Sequence, residues 1–261
     1  MKFACTGKGG VGKTTIAALM AHYFNKDGYR VLAVDADPVA HLAIALGIPP
    51  DHSARIIPIS EQRRLIRERT GADPRQFGQL FKLNPTVNDI PDKFCVEFRG
   101  IKLLVMGAVQ KGGSGCACPE NVLLRSLLSE VILQRQEVVM VDMEAGIEHL
   151  GRATCRSIDK MLIVVEPSLR SVGVGKNILA LAEDIGLESF GIIGNKIQNP
   201  SQEEWLRAQF PVRPILGMIS YREILRDSDF LPQPLIDSLD EPTRAEFEAL
   251  YRAIRQGLPA S

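Results

Sequence analysis

Two short stretches stand out for the chemistry their side chains can support. Gly7-Lys8-Gly9-Gly10-Val11-Gly12-Lys13-Thr14-Thr15 satisfies G-x-x-x-x-G-K-[ST] in full, between an apolar run and a segment of helical period. Its glycines let backbone N–H groups turn inward around an anion, and the following helix offers its positive end to the same phosphates. Gly9, Gly10, Val11 and Gly12 would form the cradle. Lys13 is expected to neutralise the β- and γ-phosphates, Thr14 to ligate Mg²⁺ through its hydroxyl, and Thr15 to hold the α-phosphate. The second stretch, Lys111-Gly112-Gly113-Ser114-Gly115-Cys116-Ala117-Cys118, sets two thiols one residue apart on a loop too glycine-rich for helix or strand. Where thiols are kept reduced, so close a pair is more often a metal or redox site than a disulfide.

These groups need a frame, and the chain alternates short β-branched runs with helical segments. Strands are predicted at 2–6, 30–35, 101–106, 137–142, 160–165, 190–195 and 214–219. Most are near-continuous apolar runs, as strands buried on both faces should be. Helical period appears near 14–27, 56–70, 119–135, 170–185, 201–209 and 242–256. The expectation is an α/β fold, a single-domain P-loop NTPase over 1–261 with a mostly parallel central sheet and helices on both faces. Residues 71–100 look less regular, a set of loops with a short hairpin inserted between sheet elements.

Composition narrows the partners. Lys+Arg and Asp+Glu are equal at 31 each, which argues against a broad nucleic-acid-binding surface and leaves room only for a local basic patch. No run approaches the about 18–20 apolar residues of a membrane span, and the first residues lack a signal-peptide layout. A cytoplasmic protein with no nucleic acid and no membrane as partner is expected. In the last helical segment Phe247, Leu250, Tyr251 and Ile254 form one stripe with mixed charge opposite, a pattern for packing on a protein core.

KGGVGKTT resembles the deviant Walker A sequence of the family that includes division-site, plasmid-partition and nitrogenase-iron-protein ATPases. The resemblance implies ATP/ADP as ligand and a homodimer in which Lys8 reaches across a two-fold interface to the partner's phosphates. By the same resemblance Asp37, in Val34-Asp35-Ala36-Asp37-Pro38, is the switch I carboxylate that orients or deprotonates the attacking water. The strand ending at Asp142 resembles Walker B, with Asp142 on Mg²⁺ through a water. Gly146 would bring its N–H near the γ-phosphate, and Asn195-Lys196 would contact adenine. Asp37 and Asp142 could also be helix caps, since carboxylates at strand ends often are. Roles for Glu144 and His149 stay open.

Within that family the chain is most similar to the maturation ATPases that deliver nickel to carbon monoxide dehydrogenase. KGGVGKTT, the loop ending in Cys116 and Cys118, and Asp142-Met143-Glu144-Ala145-Gly146-Ile147-Glu148-His149-Leu150 carry the likeness. It implies an ATP-driven dimer serving carbon monoxide dehydrogenase or acetyl-CoA synthase as client. One C-x-C supplies two thiolates, and a two-fold axis beside it would double them to the four a closed site wants. Four thiolates suit Zn²⁺ in tetrahedral or Ni²⁺ in square-planar geometry, so the ligand types leave the metal open. A reductase holding a four-iron cluster between subunits is the alternative, because Cys155 also follows Asp142. It lies further along than that pattern places its ligand, and Cys155, Cys5 and Cys95 are expected to be small core residues. A positioning ATPase for DNA or membrane is the third reading.

Overall fold

The strands with the most continuous apolar runs lie deepest in the sheet. Lys2–Gly7 (β1) and Val138–Met143 (β5) are buried at every position, since each has a parallel neighbour on both sides. Around them the computed structural model sets Val31–Ala36 (β2), Val96–Phe98 (β3), Ile101–Val105 (β4), Lys160–Val165 (β6), Phe190–Ile197 (β7) and Ile215–Ser220 (β8). The order is β3-β4-β2-β5-β1-β6-β7-β8, with β3 antiparallel to β4 and every other pairing parallel. The structure describes residues 1–73, 78–107, 119–144, 154, 157–187, 189–228 and 233–256.

Strand alternation sends side chains to two separate cores. Phe3, Cys5, Val31 and Ala33 pack with Lys13–Lys26 (α1) and Glu241–Arg255, through Ile16, Met20, Phe24, Phe247, Leu250 and Ile254. Ala4, Leu32, Val34 and Val139 face the other way, under Arg63–Thr70, Pro119–Gln134 and Leu169–Asp184. Cys5 is thus a fully buried core residue, and burial raises its thiol pKa. Cys95 is partly buried, and desolvation pushes it up to about 12. The apolar stripe near the C-terminus does pack on the core, with Phe247, Leu250 and Ile254 buried. Among the described residues no helix is long and apolar enough to cross a membrane.

Two local expectations change. Helix over 56–70 is reduced to Arg63–Thr70, preceded by a 3₁₀ turn at Ile59–Glu61. Pro58 accounts for the delay, since it cannot donate to a preceding turn and disfavours helical backbone at Ile57. The hairpin expected within 71–100 gives way to one that only begins there, since β3 pairs with β4, the strand expected at 101–106. Arg99 (φ 50) and Gly100 (φ 81) make the two-residue connection, a left-handed pair that matches the strand twist.

Candidate functional site

Among the described residues seven parallel strands end on one edge of the sheet, and the loops there gather Lys8, Lys13, Asp37, Asp142 and Lys196. β1 lies centrally between β5 and β6, so the loop after Gly7 opens beside the ends of both. Gly12 caps α1 at φ 95, a left-handed geometry that favours glycine, and a methyl there would run into the Asn195 amide. Ile16 N donates to Gly12 O at 3.1 Å, which starts the helix and leaves the N–H groups before it turned to the loop. Lys13 is the first helical residue, 7% exposed, with Nζ 3.5 Å from the Lys8 carbonyl. Glycine-rich turn, helix N-terminus and an inward lysine are therefore together, as a polyphosphate cradle requires.

The carboxylates lie at neighbouring strand ends. β2 and β5 pair with Asp35 opposite Asp142, and Asp142 is also in register with Cys5 of β1. Asp142 is 1% exposed, and neither of its oxygens has a hydrogen bond of ordinary geometry. Burial pushes its pKa up to about 7, and the charges of Asp35 and Asp37 push the same way; the adjacent Thr14 hydroxyl and Lys13 pull against that rise. A buried, orphaned carboxylate beside a threonine hydroxyl and a lysine is costly as it stands, and a divalent cation would satisfy it. The residues present thus fit Mg²⁺, with Thr14 and Asp142 as the groups to hold it.

Asp37 is half-buried. Its Oδ1 accepts from Val39 N at 3.0 Å, a turn that fixes the carboxylate at the mouth of the site. The residue beneath it, Asp35, was not singled out from sequence and has no exposure. It accepts from Leu42 N at 2.9 Å and Asp37 N at 3.3 Å, and burial raises it to about 6. The signal was present, since VLAVD ends a fully apolar run in a carboxylate. Glu144 is exposed, and its carbonyl accepts from the Thr6 hydroxyl at 3.1 Å.

Asn195 and Lys196 reach the loop from the end of β7. Asn195 Nδ2 donates to Val11 O at 2.7 Å, its Oδ1 accepts from Lys196 N at 2.9 Å, and Lys196 Nζ donates to Gly10 O at 2.6 Å. Lys196 adopts φ 60, which brings its side chain back over the loop. Both residues therefore brace the phosphate loop, and the Asn195 amide would have to exchange partners to read a base edge. Glu166, at the end of β6, also escaped the sequence reading; it faces Lys8 at 3.4 Å and Lys196 at 3.7 Å. Gly146, Glu148, His149, Cys155 and the pair Cys116 and Cys118 lie outside the described residues. Among the described residues no group of three or more His, Cys, Asp or Glu is placed to hold a metal ion.

A parallel sheet, a glycine loop opening into a helix and a buried strand-end aspartate define a P-loop ATPase. The chain belongs to the family described as the CobQ/CobB/MinD/ParA nucleotide binding domain, which matches residues 2–233. It is 44% identical to an uncharacterized ATP-binding protein of Methanocaldococcus jannaschii, over 97% of both chains. It is 45% identical to the carbon monoxide dehydrogenase accessory protein of Rhodospirillum rubrum, over 88% of this chain and 87% of that one. Among solved structures, the MinD cell division protein of Aquifex aeolicus superposes with a TM-score of 0.66 at 21% identity, covering 99% and 98% of the two chains. A ParA family ATPase of Chlorobium tepidum gives 0.68 at 18% identity, covering 97% and 96%, so these two likenesses speak to the fold.

Proposed function

We propose that this ATPase is a nucleotide-driven nickel chaperone acting in the maturation of carbon monoxide dehydrogenase or acetyl-CoA synthase. The observation that carries the reading is the 45% identity with the carbon monoxide dehydrogenase accessory protein of Rhodospirillum rubrum over 88% of this chain. The C-x-C of Cys116 and Cys118 supports it, since paired thiolates are ligands for Ni²⁺ and Zn²⁺ and serve no step of phosphate chemistry.

In this reading one ATPase domain of the cytoplasm forms a homodimer across its nucleotide faces. The N–H groups of Gly9 to Gly12 and the Lys13 ammonium hold the phosphates, Thr15 bonds the α-phosphate, and Gly146 adds an N–H at the γ-phosphate. Thr14 and Asp142 hold Mg²⁺, which when bound neutralises developing phosphate charge. Asp37 orients the attacking water and accepts its proton. Asn195 and Lys196 fix the loop on which those contacts depend. Lys8 extends to the nucleotide of the second subunit, so hydrolysis there loosens the dimer. Four thiolates, two from each subunit, then share one metal ion, and metal affinity becomes linked to the nucleotide state.

Activation of nickel-free carbon monoxide dehydrogenase under limiting Ni²⁺ and ATP tests the assignment. The parental protein is expected to restore activity, and Cys116→Ser and Cys118→Ser to lose that effect while still hydrolysing ATP. Equal activation by the parent and both variants would remove the thiols from the function.

A further inference from the structure

Glu166 follows the last residue of β6 directly, and β6 pairs with β1 so that Val164 faces Gly7. Two residues beyond that pairing, its side chain meets the first part of the phosphate loop. The carboxylate is shared: Oε1 faces Lys8 Nζ at 3.4 Å and Oε2 faces Lys196 Nζ at 3.7 Å. Its own position is well fixed. Glu166 N donates to the Ser171 hydroxyl at 3.0 Å, Ser168 N donates to the Glu166 carbonyl at 2.7 Å, and the Ser168 hydroxyl lies 3.5 Å from Oε1.

The two lysines are not held alike. Lys196 has a second anchor in the Gly10 carbonyl at 2.6 Å, whereas among the described residues Lys8 has no second acceptor. Lys8 is also partly exposed, with 36% of its side chain accessible. An ion pair this long and this wet holds its lysine weakly, and a polyphosphate offers more negative charge than one carboxylate. When Lys8 leaves, Glu166 still keeps Lys196, so the exchange strands no charge.

We propose that Glu166 is the resting counter-ion of Lys8, a positioning residue that holds the lysine on its own subunit until the partner's nucleotide competes for it. This rests on the reading of Lys8 as the residue that crosses the interface. The carboxylate thus sets a threshold for dimerisation, which a nucleotide carrying the γ-phosphate crosses more readily than one lacking it.

Sedimentation equilibrium of the full chain with Mg²⁺ and a non-hydrolysable ATP analogue tests this on the parent, Glu166→Gln, Lys8→Ala and the double variant. Glu166→Gln is expected to tighten dimerisation about 2- to 25-fold, because two partly exposed pairs, each worth about 1.5- to 5-fold, break per dimer. The gain should shrink as salt rises from about 0.05 to about 0.5 M, and it should be absent in the Lys8→Ala background. Lys8→Ala alone should weaken the dimer. If it does and Glu166→Gln leaves the dimer unchanged or weaker, the counter-ion role is overturned while Lys8 keeps its part. If Lys8→Ala dimerises like the parent, the cross-subunit reading has failed and the counter-ion role with it.

Discussion

At the edge of the sheet where the strands begin, Arg135 forks onto both oxygens of Asp92 at 2.9 and 3.0 Å and also onto Glu137, while Lys2 donates to the Arg135 carbonyl. At the same edge Lys2 N donates to Asp159 at 2.7 Å. At the opposite edge the same residue types are left short of partners. Asp142 has no hydrogen bond of ordinary geometry, Lys13 has a carbonyl at 3.5 Å, and Glu166 is divided between two lysines at 3.4 and 3.7 Å. Charge at the first edge stabilises the fold. At the second it is held in reserve for a ligand that brings phosphates and a cation, so mutations at the two edges should separate stability from binding.

The largest expected effect is on binding. Lys13→Ala should weaken ATP binding by roughly 10²–10³-fold, because no other ammonium is buried in the loop, and should leave the melting temperature within a few degrees of the parent. Arg135→Ala should do the reverse. It leaves Glu137, 10% exposed, without its forked partner, and should cost about 2 kcal/mol of stability with nucleotide affinity unchanged. Calorimetric titration and thermal melts on the two variants check the pair; a stable Arg135→Ala protein with impaired nucleotide binding would break the distinction.

A smaller effect of opposite sign sharpens it. The folded-state pKa of Asp142 is raised to about 7, so the folded chain holds that proton more tightly than the unfolded one. Its contribution to stability is complete below about pH 4 and is lost as pH rises through about 7. Without nucleotide and Mg²⁺, Asp142→Asn should therefore stabilise the protein by about 1–2 kcal/mol at pH 8, and the gain should fade toward pH 4. The same variant should lose the Mg²⁺-dependent part of nucleotide stabilisation. Melts across that range decide it, and an Asn variant less stable than the parent at pH 8 would contradict the orphaned-carboxylate account.

What was legible in the sequence divides along physical lines. The strands and main helices could be read because burial on both faces writes itself as runs such as VVMVD and KMLIVV. The phosphate loop was legible because its geometry demands glycines at fixed spacing. The brace formed by Asn195 and Lys196 was not, because it depends on β7 lying two strands from β1, which local pattern does not encode. Glu166 was missed for the same reason: the lysines it faces are 158 and 30 positions away in the chain and adjacent only in the fold. Asp35 shares its run with Asp37, and only the fold shows which of the two carboxylates is buried.

An ATPase whose paired thiols share one nickel ion across a nucleotide-dependent dimer, as proposed, must bind that ion in a fixed ratio to its chains. Ni²⁺ dialysis against the reduced protein, with Mg²⁺ and a non-hydrolysable ATP analogue, should give one ion per two chains in the parent. Cys116→Ser and Cys118→Ser should lose it, and Cys155→Ser should keep it. A brown parental protein carrying iron and sulfide, or Ni²⁺ retained by both loop variants and lost in Cys155→Ser, would contradict the account.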